Sequence, residues 1–138
     1  MAINQRSVVI TGTSGLLGGY LFARWRRSRI RDSVVHGFDR NPIDIPNTHV
    51  IDLTDSHALS RAIDEIRPEL IINCAAMTNV DACEEDEAAA TAINATAVRT
   101  LAGAAQSLGA RLIQISTDAV LGDSDARARS EERRVGKE

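Results

Sequence analysis

The chain has 138 residues and a formal net charge of -3; hydrophobic residues make up 43% of it, charged residues 25% and aromatic residues 3%. This is the composition of a soluble globular domain with its own hydrophobic core. The scarcity of aromatic rings and the acidic balance argue against nucleic acid as a partner. Because the longest apolar runs are only strand-sized, we expect no membrane-spanning helix.

Predicted strands and helices alternate along the chain. The β-branched run Ser7–Thr11 predicts a buried strand, and apolar residues from Leu16 onward recur at helical spacing. Further strands are predicted over 33–38, 48–51, 70–72 and 111–116, with helices before Pro68 and between the acidic stretch 84–87 and Gly109. The order predicts an α/β fold, a Rossmann-type doubly wound parallel sheet of about five strands. The connection from Asp39 to Asn47 is short for a parallel crossover, so we expect a tight loop there.

Glycines punctuate the turn between the first strand and the first helix, in the run Gly12-Thr13-Ser14-Gly15-Leu16-Leu17-Gly18. In a G-x-x-G-x-x-G turn the first glycine permits a sharp bend and the second a close approach of the backbone to a pyrophosphate. The third glycine allows the helix to pack closely on the strand, and the helix N-terminus attracts the anion. No Gly-Lys-Ser/Thr follows, which disfavours a P-loop. The turn therefore predicts dinucleotide binding.

Acidic residues end the second and third predicted strands. Asp39 has the position of an acid that accepts hydrogen bonds from the adenosine ribose. This favours NAD over NADP, since a 2′-phosphate would meet a like charge; Arg40 could instead pair with that phosphate, so NADP stays open. Asp52 and Leu53 could hold the adenine, although Asp52 could equally be a helix-entry acid.

Small and hydroxyl-bearing residues follow the fourth and fifth strands. The small side chains of Asn73-Cys74-Ala75-Ala76 would let a cofactor ribose lie against the backbone, and Ser116-Thr117-Asp118 would face the ligand crevice of a parallel sheet. Ordinary packing and a strand-end turn are the alternative explanations. Two cysteines, Cys74 and Cys83, are too few for a zinc site, so we expect no metal and two reduced thiols in a cytoplasmic protein.

The end of the chain has a different character. After Asp125 no apolar periodicity remains, and residues 129–138 resemble the in-frame translation of a sequencing-library adapter. We therefore expect residues 1–125 to form an incomplete, C-terminally truncated dinucleotide-binding domain. Residues 126–138 are expected to be a non-native or disordered tail.

Taken together, these segments resemble the extended short-chain dehydrogenase/reductase superfamily, and within it the dTDP-4-dehydrorhamnose reductase family. The resemblance is carried by residues 73–81, Ile93-Asn94-Ala95 and Ser116-Thr117-Asp118, which follow the family patterns N-A-A-x-T-x-V-D, V-N-A and S-T-D-Y-V-F in the same order. It extends over roughly residues 7–122.

The resemblance implies a Rossmann domain and hydride transfer from NAD or NADP to the C4 ketone of a nucleotide-sugar substrate. It assigns the pyrophosphate to Gly15, Leu16 and Leu17, the ribose to Asp39, the adenine to Asp52 and Leu53, and the nicotinamide side to Ala75, Ala76, Met77, Thr78 and Ile115. Thr117 would be the catalytic hydroxyl and Asp118 would lie by the sugar nucleotide. A homodimer of the full-length protein is a further hypothesis.

Two departures from the family pattern matter. Ala119 replaces an aromatic residue, which weakens any inference about substrate identity. The family's Tyr-x-x-x-Lys pair is absent, because the only tyrosine is Tyr20, in the first helix, and the only lysine is Lys137. We therefore expect a cofactor-binding fragment of an oxidoreductase that has no turnover itself. The alternative is a non-catalytic NAD(P)-binding regulatory module of the same fold.

Overall fold

Five parallel strands form one sheet in the computed structural model, which describes residues 6–28 and 32–117. The strands are β1 (Ser7–Thr11), β2 (Val34–Asp39), β3 (Thr48–Val50), β4 (Leu70–Asn73) and β5 (Arg111–Gln114). The helices are α1 (Leu16–Ser28), α2 (Ser56–Ile66), α3 (Val80–Glu85), α4 (Glu87–Thr91), a π-helix (Ala92–Thr96) and α5 (Ala97–Leu108).

The order of the strands across the sheet is β3-β2-β1-β4-β5, and every pairing is parallel. The chain builds outward from β1 to β3 and then returns to β4 on the other side of β1. The reversal of direction at β1 and β4 is the topological switch point, beyond whose carboxyl ends doubly wound sheets bind ligands. The predicted Rossmann-type fold is confirmed.

The hydrophobic core has two layers, one on each face of the sheet. Alternate residues of a strand point to opposite faces. Val8 and Ile10 pack with Phe22 of α1, whereas Val9 packs with α2 and α5 on the other face. On that second face the helices contribute Leu59, Ile63, Ala97, Leu101 and Ala105. Burial on both faces explains why the strands read as continuous apolar runs.

The short connection between β2 and β3 is a closed loop without a helix. The Thr48 hydroxyl donates to the carbonyl oxygens of Ile43 and Ile45, at 2.6 and 2.7 Å. Gly37 donates its N–H to Asn47 at 2.9 Å, which ties the end of the loop to β2. The loop expected from the sequence is confirmed, although β3 is one residue shorter than predicted and β5 is two residues shorter.

The acidic stretch precedes a long helical segment, 87–108, which ends at Gly109 as predicted, but a π-helix interrupts this segment and the short helix α3 comes before it. Glu84 and Glu85 end the short helix α3, which Asn79 caps by accepting the Ala82 N–H at 2.9 Å. Asp86 then caps α4 through the Ala89 N–H, also at 2.9 Å. Two N-capping side chains seven residues apart favour two helix starts over one. The π-helix follows, and Ala105 is the buried residue near the end of α5.

Both predicted helix ends are confirmed by their backbone geometry. Asp55 caps α2 by accepting the N–H groups of His57 and Ala58, and the helix stops at Arg67 before Pro68. Gly109 ends α5 in the left-handed conformation, at φ +66°.

Within residues 6–28 and 32–117, no helix is long and apolar enough to cross a membrane. The same part of the chain contains no cluster of three or more metal-binding side chains. The predicted tail, 126–138, lies outside the described residues, and so does Asp118.

Candidate functional site

The glycine-rich turn is packed so tightly that two of its positions require glycine. Gly12 leaves β1 at φ +69°, and a Cβ there would lie 2.9 Å from the Ala75 nitrogen. A Cβ on Gly18 would lie 2.2 Å from the Gly12 oxygen. Gly12 also donates its N–H to the Phe38 carbonyl at 2.9 Å. The turn therefore lies directly on the ends of β2 and β4.

Helix α1 begins at the carboxyl edge of the sheet and exposes its first turn. Leu16 is 95% exposed and Leu17 is 43% exposed. The first turn contains no acidic side chain that would offset the positive end of the helix dipole. This helix end has the electrostatic character of an anion site.

Asp39, at the end of β2, joins the glycine-rich turn to the sheet. Its Oδ2 accepts the Ser14 N–H at 2.7 Å and its Oδ1 accepts the Asn41 N–H at 3.0 Å. Burial raises the pKa of Asp39, but the hydrogen bonds from Asn41 and Ser14 outweigh it and leave the pKa below its ordinary value. Asp39 is thus a carboxylate at neutral pH. Sequence reasoning predicted a ribose ligand here and missed this contact with the turn.

A buried polar chain fixes the backbone after β4. The Thr11 hydroxyl donates to Asn73 Oδ1 and accepts the N–H groups of Cys74 and Ala75, each at 3.2 Å. Asn73 Nδ2 donates to Gln114 Oε1 at 2.7 Å, so that β1, β4 and β5 are linked at one edge. Thr11 and Asn73 are almost completely buried, and their hydrogen bonds satisfy groups that would otherwise be costly to bury.

Farther along the same loop, Asn94 of the π-helix holds Met77. Asn94 Oδ1 accepts the Met77 N–H and Asn94 Nδ2 donates to the Met77 oxygen, both at 2.9 Å. The Cys83 thiol donates to the same oxygen at 3.4 Å. Single π-helical turns inside α-helices occur frequently at functional sites.

These elements enclose a cleft of about 490 Å³ beside the switch point. The predicted cofactor residues on its wall are Gly12, Ser14, Asp39, Arg40, Asp52, Leu53, Ala75, Ala76 and Met77. The wall also contains Cys74, from the cofactor loop predicted over 73–76, and residues that the prediction missed, namely Phe38, Asn41, Ile51, Thr54, Ala89 and Ile93. A concave site with a few convergent polar groups is typical of small-molecule binding.

The family model described as the RmlD substrate binding domain matches residues 6–135. The chain belongs to this family. It is 38% identical over 128 residues to a dTDP-4-dehydrorhamnose reductase of Streptomyces griseus, covering 93% of this chain but 38% of that protein. It is also 36% identical over 118 residues to the methionine adenosyltransferase 2 subunit beta of Rattus norvegicus, covering 86% of this chain and 34% of the relative.

Solved structures of the same family have the same fold. The dTDP-4-dehydrorhamnose reductase of Bacillus anthracis, in complex with NADP, is 34% identical with a TM-score of 0.68, over 86% of this chain and 38% of that one. The enzyme of Clostridium acetobutylicum is 36% identical with a TM-score of 0.69, over 81% and 36%. The resemblance inferred from the sequence motifs is confirmed. The RmlD-family chain spans well under half the length of these relatives.

Charges of both signs meet at the mouth of the cleft in this RmlD-family chain. Asp52 Oδ1 accepts the Thr54 N–H at 2.9 Å and the Thr54 hydroxyl at 2.7 Å. These hydrogen bonds lower the pKa of Asp52; slight burial raises it, and the nearby charge of Arg40 lowers it further. Burial raises the pKa of the Cys74 thiol, so the cleft wall carries a protonated thiol there. The cleft wall therefore contains two carboxylates, those of Asp39 and Asp52, and one guanidinium, that of Arg40.

Other predicted site residues of the RmlD-family chain lie beside the cleft or beyond it. Gly18 is buried beneath the turn. Ile115 follows β5, where its N–H donates to the Asn73 oxygen at 3.1 Å. The predicted residues that are not on the cleft wall are Gly15, Leu16, Leu17, Gly18, Thr78, Ile115 and Thr117. Thr117 is the last described residue, and it is exposed.

Proposed function

We propose that this chain is the cofactor-binding part of an NAD(P)-dependent oxidoreductase that reduces a keto group of a sugar nucleotide. The observation that carries the proposal is the cleft at the switch point, bounded by the glycine-rich turn and the carboxylate of Asp39. The similarity to dTDP-4-dehydrorhamnose reductases supports the substrate class.

The residues present fit a dinucleotide. The positive end of α1, near Leu16 and Leu17, would hold the pyrophosphate. The ribose would contact Asp39. Asp52 and Leu53 would both contact the adenine. Ala75, Ala76 and Met77, which lie on the cleft wall, would line the nicotinamide side, and Thr78 would lie beside them. When bound, the cofactor would supply the hydride, and these residues would bind and orient it.

The carboxylate of Asp39 favours NAD, since the 2′-phosphate of NADP would be placed against a negative charge. Arg40 is the opposing influence, because a guanidinium can pair with a phosphate through two hydrogen bonds. Arg40 lies close enough to Asp52 for its charge to affect that carboxyl, so part of its charge is already compensated. We infer that NAD binds more tightly than NADP.

We propose that Thr117 orients the substrate carbonyl and that Asp118 contacts the sugar nucleotide. A threonine hydroxyl is too weak an acid to protonate an alkoxide without help, and general acid catalysis contributes about 10²–10⁴-fold. Since the chain contains no Tyr-x-x-x-Lys pair, we expect cofactor binding without turnover. The homodimer and the cytoplasmic location remain predictions.

A second candidate is a non-catalytic regulatory module. Its support is the 36% identity to the methionine adenosyltransferase 2 subunit beta. The two candidates would differ in a protein of the relatives' length that contains this chain. A reductase requires Tyr-x-x-x-Lys there and oxidises NADH with a 4-keto sugar nucleotide, whereas a regulatory module binds cofactor without turnover.

The binding proposal is tested by calorimetric titration with NADH and NADPH. Ala76→Phe places a ring in the cleft and should abolish binding of both cofactors. Ala102→Phe is the matched control, because Ala102 is also an exposed alanine but lies on α5, away from the cleft wall. Unchanged binding by the Ala76→Phe variant, or no binding by the starting protein, would contradict the proposal.

A further inference from the structure

Two histidines face each other on the edge strand β3 and on its neighbour β2, and neither of them lines the cleft. His36 Nδ1 of β2 lies 3.0 Å from His49 Nε2 of β3, and the ring centroids are 5.3 Å apart. His49 is paired with Phe38 in the strand register, and the Phe38 ring contacts the His49 ring edge-on at 5.5 Å. Because His36 and Phe38 are two residues apart, both histidines share the sheet face of Phe38.

The two rings can bind a metal ion through the lone pairs of their nitrogens. Burial lowers the pKa of His36, and the neighbouring His49 lowers it further, so the structure favours a neutral His36 ring. Neutral imidazole is the form that binds metal ions. Both histidines are partly exposed.

We propose that His36 and His49 form a two-imidazole site for a divalent transition-metal ion of the Ni²⁺ and Zn²⁺ class. Metal–nitrogen distances of about 2.0–2.1 Å at a tetrahedral angle place two ligand nitrogens about 3.3 Å apart. The observed separation of 3.0 Å is therefore a few tenths of an ångström short of a chelate, and both rings must also turn so that their nitrogen lone pairs converge on the metal. Water completes the coordination, because the described residues provide no cluster of three metal-binding side chains.

Metal binding at this pair needs no release of a proton to solvent. In the metal-free pair one facing nitrogen carries the shared proton and the other accepts it. Coordination requires both facing nitrogens to be bare, so the donor ring carries its proton on its other nitrogen when the metal is bound.

A metal ion at this site would link the edge strand β3 to β2. Strand β3 contains only three residues and pairs with β2 alone among the described strands. A metal bridging His36 and His49 adds a link between these two strands. An ion that binds only the folded protein raises its stability by mass action. This inference is independent of the proposed function, because neither histidine lines the cleft.

The experiment is a calorimetric titration of tag-free, chelator-stripped protein with Ni²⁺ at pH 8, with thermal unfolding as a second readout. We expect one Ni²⁺ per chain and a higher unfolding midpoint in its presence. His49→Gln and His36→Gln should each weaken binding at least tenfold and remove the thermal shift. His57→Gln is the control, since His57 is an exposed histidine on α2, and it should bind as the starting protein does.

Two results would overturn the site. One is the absence of Ni²⁺ binding at millimolar concentration by the folded starting protein. The other is undiminished affinity in a variant that circular dichroism shows to be folded and that lacks His36 or His49. The use of two single variants guards against either one failing to fold.

Discussion

The side-chain amide of Asn94 holds the backbone of Met77 at both its N–H and its carbonyl oxygen, through two hydrogen bonds of 2.9 Å. Asn94 lies in the π-helix, and Met77 lies on the wall of the cleft. An amide can match an N–H and a C=O at once because it carries one acceptor and two donors. The pair therefore fixes the loop that follows β4 relative to the helices.

Asn94→Asp should loosen this loop. The carboxylate can still accept the Met77 N–H, but it would face the Met77 oxygen without a proton to donate. We expect cofactor affinity to fall about tenfold, the equivalent of about 1.4 kcal/mol, with a smaller loss in the free energy of unfolding. Gln106→Ala, at an exposed position of α5, is the control. Equal NADH affinity in both variants would mean that Asn94 has no role in shaping the cleft.

Two glycine substitutions should have opposite effects on stability. Gly12→Ala forces a side chain into a left-handed backbone and places its Cβ 2.9 Å from the Ala75 nitrogen. The backbone conformation alone costs about 1–2 kcal/mol. Gly103→Ala, in α5, meets nothing within 4 Å and should gain roughly 0.5–1 kcal/mol. Urea unfolding measures both free energies, and a neutral Gly12→Ala would contradict the tight turn.

Acid should reduce the stabilisation that the Asp39 carboxylate provides through its hydrogen bonds with Ser14 and Asn41. Its pKa is lower in the folded protein than in the unfolded chain, so its stabilisation is complete above the unfolded pKa. The stabilisation is lost as the pH falls from about 4 through the lower, folded pKa. Asp39→Asn should therefore reduce the free energy of unfolding at pH 7 and flatten its decline in acid. Asp44→Asn, in the exposed loop before β3, is the control and should lose less stability at pH 7 than Asp39→Asn does.

Local signals made most of the fold predictable. The glycine spacing, the β-branched strands and the stops at Pro68 and Gly109 each depend on neighbours in sequence. The short helix α3 was missed because Asn79 and Asp86 both act as caps, and an acid at the end of one helix looks the same as an acid at the start of the next. The π-helix that contains Asn94 has no comparable local signal in the sequence.

The candidate site was predictable where residues follow a strand. Asp39, Asp52 and Ala75 were found because the carboxyl ends of parallel strands share one edge. Ile51 and Ile93 were missed, because an apolar residue on a cleft wall resembles one in the core. The contact between Asp39 and Ser14 joins residues far apart in sequence, and only the three-dimensional structure brings them together.

The most direct test of the account is an amide-resolved nuclear magnetic resonance titration of this chain with NADH. The predicted result is a set of chemical-shift changes in the glycine-rich turn, at Asp39–Asn41 and at residues 75–78, with Ala102 and Gly103 on α5 unaffected. The spectrum maps the bound ligand directly and does not depend on catalysis. No shifts at saturating NADH, or shifts concentrated away from the turn and the loop after β4, would contradict the claim that this cleft binds a nicotinamide dinucleotide.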